Sequence, residues 1–267
     1  MLNKTQLLPD RPGIPPMAKM PEPEVVDPAA LAEAYRQGEI DLICVLGPTA
    51  SGKTRYAVQL ARALGNVHIL SADSRQVYRG MDIGTGKDLR EYGEVPYHLI
   101  DLVPAGTKYN IYQYQKAFAD AYATVRAAGA IPILCGGSGL YIEAVTRAYK
   151  FEKENGLPAS ALPKSVYYIG TLVSREERVA RIDRRLEERL QEGLVEEVRG
   201  LLETVSAQDL IYYGLEYKFV TQYILGELSY EDMVVALGNA IHQFAKRQMT
   251  WFRGMERDGI RIHWVRP

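Results

Sequence analysis

The sequence has few cysteines and no long apolar run. Cysteine occurs only at Cys44 and Cys135 among 267 residues, and each lies inside an apolar stretch typical of a buried strand. We therefore expect two free core thiols in a reducing compartment and no disulfide. No apolar run approaches the ~18 residues of a membrane span, and the N-terminus has no apolar signal-peptide core. These absences predict a cytoplasmic protein that does not enter a membrane.

Neither sign of charge is in excess. The chain has 32 lysines and arginines against 33 aspartates and glutamates, a net charge of −1, so any basic surface for nucleic acid must be local. The 4 histidines are scattered, and neither they nor the cysteines have metal-ligand spacing. No Gly-x-Ser-x-Gly elbow is found. A structural zinc site and a triad hydrolase are therefore not expected.

A phosphate-binding motif follows the first apolar run. The strand predicted over Asp41–Leu46 ends in "GPTASGKT", and a helix predicted to run to Leu64 follows at once. This strand–loop–helix context is that of a phosphate loop, in which backbone N–H groups converge on phosphate oxygens. Lys53 supplies a positive charge, and Thr54 can hold Mg²⁺. The predicted phosphate-binding residues are Gly47, Pro48, Thr49, Ala50, Ser51, Gly52, Lys53 and Thr54.

Apolar runs alternate with helical patterns along the rest of the chain. Further strands are predicted over 67–73, 131–137, 165–173 and 261–265, and helices over 27–39, 110–129, 174–193 and from 229 to about 253. Capping boxes mark two helix starts, Ser174 with Glu177 and Ser229 with Asp232. The alternation predicts an α/β fold with a mainly parallel sheet flanked by helices, on a P-loop NTPase-like core with a helical C-terminal part.

Four parts are predicted. Residues 1–40 form a Pro-rich leader and a short helix, and residues 41–149 form the first part of the P-loop core. Residues 150–164 are a charged linker broken by glycine and two prolines. Residues 165–267 complete the core and add the C-terminal helices.

Candidate chemical groups follow the predicted strands, where ligands gather in open α/β sheets. Asp73 is the first carboxylate beyond the second strand, and it can ligate Mg²⁺ or accept a proton; a turn aspartate is the alternative. Lys87 follows a glycine-rich stretch that is weak evidence alone. Ser138 begins a helix, and taken in isolation its hydroxyl is better explained as a helix cap than as an anion ligand.

Two basic segments are candidates for phosphate or RNA contacts. The helix over 174–193 is rich in arginine, and most of these should pair with glutamate on the solvated face; one could turn inward, but the sequence does not say which. Lys246, Arg247 and Arg253 are interleaved with aromatic residues, a pattern typical of a single-stranded nucleic-acid contact. A half-buried helix with an ordinary charged face explains it equally well.

Several stretches together resemble one family. In chain order they are "LGPTASGKT", "SADSRQVYRGMDIGTGK", "YHLID", "GGSGLY", "RIDRRLEERLQEGLVEEV" and "AKRQMTWFRG". The phosphate loop is generic, whereas "ADSRQVYRGMDIGTGK" and "AKRQMTWFRG" are specific. Over Asp41 to Val265, apart from Lys150–Lys164, the chain is similar to the tRNA dimethylallyltransferases, also called tRNA isopentenyltransferases.

The resemblance implies a reaction and its residues. The phosphate loop would bind dimethylallyl diphosphate, with Mg²⁺ at Thr54, and the acceptor would be N6 of the adenosine next to the anticodon of a tRNA. Asp73 would accept the N6 proton, while Ser138, where the family usually has threonine, and Arg181 would assist transfer. The implied tRNA contacts are Asp73, Ser74, Arg75, Gln76, Lys246, Arg247 and Arg253. We expect a monomer whose partners are the prenyl diphosphate and the tRNA anticodon loop.

The chain departs from the family pattern in two places. The helical insertion that family members usually carry is replaced by Lys150–Lys164, and Leu215–Lys218 lacks the glycine that commonly precedes its tyrosine. Three alternatives therefore stay open. They are an adenylate isopentenyltransferase acting on free AMP, ADP or ATP, a P-loop ATPase or kinase, and a non-catalytic RNA-binding relative.

Overall fold

A parallel β-sheet forms the centre of the computed structural model, which describes residues 21–147 and 159–267. The strands are β1 (Leu42–Leu46), β2 (Val67–Ser71), β3 (Tyr78–Arg79), β4 (Tyr97–His98), β5 (Val103–Pro104), β6 (Ile131–Gly136), β7 (Val166–Thr171) and β8 (Ile262–Val265). Six of them pair in the order β4-β2-β6-β1-β7-β8, and every pair is parallel. Strands β3 and β5 form a separate parallel pair.

Helices cover both faces of this sheet. They are α1 (Pro28–Arg36), α2 (Lys53–Leu64), α3 (Ile111–Ala127), α4 (Gly139–Thr146), α5 (Arg175–Gln191), α6 (Leu194–Leu201), α7 (Ala207–Tyr213), α8 (Leu215–Ile224) and α9 (Tyr230–Arg257). Within the described residues, no helix has the length and apolarity needed to cross a bilayer.

The central strands are buried on both sides, which explains their continuous apolar sequences. In β1, Leu42, Cys44 and Leu46 belong to the larger core, packed with residues of α3, α4 and the C-terminal helices. The intervening Ile43 and Val45 belong to a second core, with residues of α1 and α2. The prediction of an α/β fold with a parallel sheet flanked by helices is confirmed.

The two cysteines are buried and free. Cys44 lies in the larger core and Cys135 in the smaller one, so their side chains leave the sheet on opposite faces. Burial raises the pKa of Cys135 to about 12 and also raises that of Cys44. Both are therefore inert core thiols at neutral pH, as expected.

Several predicted boundaries need correction. The last helix was predicted to end near Arg253, but α9 runs to Arg257. The three two-residue strands β3, β4 and β5 were not predicted, because two residues are too few to show a period. Half of the capping box predicted at Ser174 is formed. The Ser174 hydroxyl accepts the Glu177 backbone N–H at 3.0 Å, but the Glu177 carboxylate binds Arg181 and not the Ser174 backbone.

The predicted leader and linker lie partly outside the described residues, namely over 1–20 and 148–158. The described end of the linker is fastened to the first strand. The Asp41 carboxylate accepts the backbone N–H groups of Lys164 at 2.9 Å and Ser165 at 3.1 Å. The chain therefore enters β7 beside the start of β1, its neighbour in the sheet.

Lys87 is a structural residue. Its side chain is almost fully buried, and its ammonium donates to the Tyr78 carbonyl at 2.7 Å, to the Asp82 carboxylate at 2.5 Å and to the Asp101 carboxylate. Three acceptors satisfy the three N–H donors of a lysine. Lys87 therefore fixes the glycine-rich loop that precedes it.

A substitution at Gly136, at the end of β6, tests how closely this strand packs against the segment after β2. A Cβ added there would lie 2.2 Å from the Ala72 carbonyl oxygen, whereas one added at Gly200 in α6 meets nothing within 4 Å. We expect Gly136→Ala to lower the free energy of unfolding by about 2 kcal/mol or more, because backbone must shift. Gly200→Ala should raise it by up to about 1 kcal/mol. Urea unfolding measures both, and equal stabilities would contradict the packing described.

Candidate functional site

The phosphate loop leads into α2 through left-handed backbone. Gly52 precedes the helix with φ +81°, and no side chain caps the helix N-terminus. Ala50 also has a positive φ, of 59°. The first N–H groups of a helix have no partner within the helix, and together with the helix dipole they form an anion site.

Two side chains from outside the loop hold it in place. The hydroxyls of Ser51 and Thr171 share a buried hydrogen bond of 2.7 Å. The Thr49 backbone N–H donates to the Gln248 side chain at 2.8 Å. The loop is therefore fastened to the end of β7 on one side and to α9 on the other.

A polar cavity opens beside this loop, beyond the carboxyl ends of β1, β2 and β6. Its wall combines residues from the phosphate loop, the segments after β2 and β6, and helices α5, α8 and α9. Among its lining residues are Thr49, Lys53, Thr54, Asp73, Ser74, Arg75, Gln76, Ser138, Arg185, Arg189, Glu216, Phe244 and Gln248. Of the predicted phosphate-site and catalytic residues, Thr49, Lys53, Thr54, Asp73 and Ser138 line the cavity. The other loop residues and Arg181 are not among its lining residues.

Lys53, the first residue of α2, and Asp73, two residues after β2, both line this cavity. Burial lowers the pKa of Lys53, and the Asp73 carboxylate partly opposes that shift. Asp73 also accepts the Arg75 backbone N–H at 2.9 Å, which closes a turn after β2. Asp73 therefore makes a turn, the alternative that the sequence left open, and also lines the cavity, while its role as a base or metal ligand stays a prediction.

Ser138 does not cap its helix. It occupies the N-cap position of α4, but its side chain makes no cap hydrogen bond. Its hydroxyl instead accepts the Ser74 backbone N–H at 3.0 Å and lies 3.3 Å from the Ser74 hydroxyl. The interpretation of an isolated Ser138 as a helix cap is wrong, because the segment after β2 is close enough to take the hydroxyl.

Arg75 and Gln76 are held by the protein itself. The Arg75 guanidinium donates to the Tyr213 carbonyl at the end of α7. The Gln76 amide accepts from the Ser71 hydroxyl at 3.0 Å and donates to the Gly86 carbonyl at 3.2 Å. Both side chains line the cavity, so they connect its wall to the surrounding loops.

Three arginines spaced by four residues lie along one side of α5. Arg181 Nη1 lies 3.5 Å from where a Cβ on Gly52 would be, which places it at the phosphate loop, and it pairs with Glu177 at 2.6 Å. Arg185 and Arg189 line the cavity itself. Burial, with a smaller effect of Arg185, lowers the pKa of the Arg189 guanidinium.

The glycine-rich loop after β3 forms another wall of the cavity. The Glu197 carboxylate of α6 accepts the backbone N–H groups of Asp82, Ile83 and Gly84 at 2.9, 2.7 and 3.1 Å. It also accepts the Tyr217 hydroxyl at 2.7 Å. These four bonds keep Gly84 and Gly86 in the wall, against Arg189 and Arg185.

The basic residues predicted near the C-terminus lie elsewhere. Lys246 and Arg247 are exposed on α9 and Arg253 is half-buried, and none of them is among the residues lining this cavity. Of the interleaved aromatic residues, Phe244 lines the cavity, whereas Trp251 donates to the buried Glu143 at 2.6 Å. The contact of Trp251 agrees with a half-buried helix, while the single-stranded nucleic-acid contact stays a prediction.

Sequence reasoning did not identify four residues of the cavity, namely Arg185, Arg189, Glu216 and Gln248. The four-residue spacing of the arginines could have placed them on one helix face beside Arg181. Glu216 and Gln248 gave no such signal, because they come from α8 and α9 and approach the loop only through tertiary packing.

The fold and the site together define a P-loop protein: a parallel α/β sheet with an anion-binding loop after its first strand and a carboxylate beyond the second. Comparison with known proteins narrows this class. The family model described as IPP transferase matches residues 76–165 and 150–255, and the one described as isopentenyl transferase matches residues 40–95.

Curated relatives and a solved structure agree with these matches. The chain is 45% identical to tRNA dimethylallyltransferase 2 of Bacteroides fragilis, covering 85% of this chain and 93% of that protein. It is 47% identical to tRNA dimethylallyltransferase 1 of Parabacteroides distasonis, covering 84% and 92%. The crystal structure of the tRNA isopentenylpyrophosphate transferase of Bacillus halodurans superposes with a TM-score of 0.74 at 28% identity, covering 85% and 89%. The chain belongs to the tRNA dimethylallyltransferase family.

Part of the relatives has no counterpart in this chain. The alignment with the Bacteroides fragilis protein is 285 positions long, but it includes only 85% of the 267 residues of this chain. Some of its positions are therefore residues of the relative that are aligned with gaps in this chain. The IPP transferase model matches in two pieces, whose residue ranges overlap over 150–165. The shortened insertion at Lys150–Lys164, which the family resemblance implies, stays a prediction.

The Glu197 anchor of the cavity wall can be tested. We expect Glu197→Gln to weaken three backbone hydrogen bonds, since a neutral amide oxygen is a poorer acceptor than a carboxylate. Amide hydrogen exchange of Asp82–Gly84 should then quicken about tenfold or more. The exposed Glu196, on the same helix, gives the control Glu196→Gln. Unchanged exchange in the Glu197 variant would contradict the anchoring role.

Proposed function

We propose that the protein transfers the dimethylallyl group of dimethylallyl diphosphate to N6 of the adenosine next to the anticodon of a tRNA and releases pyrophosphate. The observation that carries this proposal is one cavity in which the phosphate loop, Asp73 and the arginines of α5 meet. Membership of the tRNA dimethylallyltransferase family supplies the class of donor and acceptor.

The reaction requires one bond to form as another breaks. The N6 nitrogen of adenine bonds to C1 of the prenyl group, the C1–O bond breaks, and its electron pair leaves with pyrophosphate. The proton lost from N6 passes to a base. Of the two carboxylates that line the cavity within the described residues, Glu216 pairs with Arg189 at 3.5 Å, and we assign the base to Asp73. The hydroxyl of Ser138 lies nearby, held against Ser74.

The developing charge on pyrophosphate needs fixed donors. The backbone N–H groups at the start of α2 and the Lys53 ammonium supply them on one side. Arg181, beside Gly52, supplies a guanidinium on the other, and Arg185 and Arg189 extend the positive wall. Since two hydrogen bonds from outside hold the loop, these donors need little rearrangement when the diphosphate binds.

Mg²⁺ would be held in this site by the substrate phosphates together with a protein oxygen. The described residues contain no group of three or more His, Cys, Asp and Glu side chains arranged to hold a metal ion. Magnesium is usually held by one or two protein oxygens together with substrate phosphates, and the Thr54 hydroxyl lies in the cavity wall. When bound, the ion would neutralise charge on the diphosphate.

The RNA contacts we propose form two groups. Ser74, Arg75 and Gln76 lie in the cavity and would surround the acceptor nucleotide. Lys246 and Arg247 are exposed on α9 and would contact phosphates farther away, with Arg253 near them on the same helix. A target base must leave its stack to reach a cavity of this kind. The protein would act as a monomer.

The acceptor is tested with three substrates. We expect labelled dimethylallyl diphosphate to transfer its prenyl group to bulk tRNA and to an anticodon stem-loop carrying the target adenosine, and not to AMP. The family relatives act on tRNA according to their names, which favours RNA over a free nucleotide. Label in AMP alone would assign the protein to the free-nucleotide class, and ATP hydrolysis without transfer would indicate an ATPase.

The role of Asp73 is tested by removing its charge. We expect Asp73→Asn and Asp73→Ala to lower the transfer rate at least 100-fold, the usual contribution of a general base. Binding of dimethylallyl diphosphate should change little, because the phosphate loop is intact. Single-turnover rates and equilibrium binding separate the two effects, with Asp120→Asn on the exposed side of α3 as the control. Full activity in the Asp73 variants would contradict its role as the base.

A further inference from the structure

Gln248 joins the helix α9 to two strand ends of the phosphate site. Its side chain is 8% exposed. Its oxygen accepts the Thr49 backbone N–H at 2.8 Å, and its amide nitrogen donates to the Gly137 carbonyl at 2.9 Å. One planar amide therefore bridges the backbone of the phosphate loop after β1 and the backbone after β6.

The two bridged segments are neighbours in the sheet. Leu46 at the end of β1 is in register with Gly136 at the end of β6, so both chains leave the sheet side by side. Gln248 packs tightly against Gly137, since a Cβ added to Gly137 would lie 2.5 Å from the Gln248 amide nitrogen. The Ser51–Thr171 hydrogen bond holds the loop from the other side.

We propose that Gln248 is a positioning residue for the phosphate loop and not an RNA contact. Without this amide, the Thr49 N–H and the Gly137 carbonyl would each lose their partner, and a polar group left unsatisfied away from water is destabilising. The loop would relax to satisfy them and lose its anion-binding shape. The proposal rests on the phosphate loop of the proposed function.

This role separates Gln248 from its neighbours. Lys246 and Arg247 are exposed on the same helix, where RNA phosphates can reach them, whereas Gln248 turns inward to the loop. The basic segment "AKRQMTWFRG" therefore combines two functions. Its exposed cations face outward, and its glutamine fixes the site where the diphosphate binds.

The test uses the full chain and two probes, inorganic pyrophosphate with Mg²⁺ and an anticodon stem-loop RNA. Gln248→Met keeps the volume of the side chain and removes both hydrogen bonds. We expect it to weaken pyrophosphate binding about tenfold, equivalent to about 1.4 kcal/mol, and to change RNA binding less than twofold. Isothermal titration measures both affinities. Gln243→Met, at an exposed position of α9, is the control and should change neither.

A second variant is used if Gln248→Met does not give a cooperative thermal transition. Gln248→Glu keeps the oxygen that accepts from Thr49 and places a carboxylate against the Gly137 carbonyl, so pyrophosphate binding should again weaken about tenfold. Weaker RNA binding with unchanged pyrophosphate binding would overturn the proposal and make Gln248 an RNA contact. Unchanged binding of both probes would overturn it as well. Absence of prenyl transfer by the unmodified protein would instead contradict the proposed function, since these affinities are measured without turnover.

Discussion

Contacts from outside the phosphate loop fix its shape, and most of the site depends on this constraint. Gly52 and Ala50 adopt positive φ angles, which open the N-terminus of α2 toward the cavity. Backbone of this kind needs support from outside, because it makes no regular hydrogen-bond ladder. Thr171 and Gln248 supply that support from β7 and α9, elements far apart in the sequence.

The cavity wall is stabilised in the same way as the phosphate loop. Polar side chains from other elements form hydrogen bonds to the glycine-rich segment after β3. Glu197 accepts three consecutive backbone N–H groups, and Lys87 binds two carboxylates and a carbonyl. Both residues stabilise the loop that faces Arg185 and Arg189. The two arginines therefore line the cavity beside a loop whose own polar groups are paired, which keeps their geometry fixed.

Much of the fold follows from local sequence patterns. The buried strands β1, β2 and β6 are continuous apolar runs, and the helix starts at Ser174 and Ser229 follow from side chains that accept the N–H three residues on. The phosphate loop can be recognised in the sequence from its own eight residues and its position after a strand. The short strands β3, β4 and β5 could not be predicted, since their two residues pair only after distant segments have packed.

The sequence by itself determined the fold class and the family, and it predicted a phosphate loop and Asp73 as site residues, because each depends on a contiguous motif or a local period. Only the tertiary structure decided the use of Ser138, which contacts Ser74 and not its own helix. It also decided which arginines of α5 face the cavity, and it brought Glu216 and Gln248 there. These contacts join residues separated by tens to hundreds of positions, such as Thr49 and Gln248, and the packing of whole helices against the sheet sets their distances.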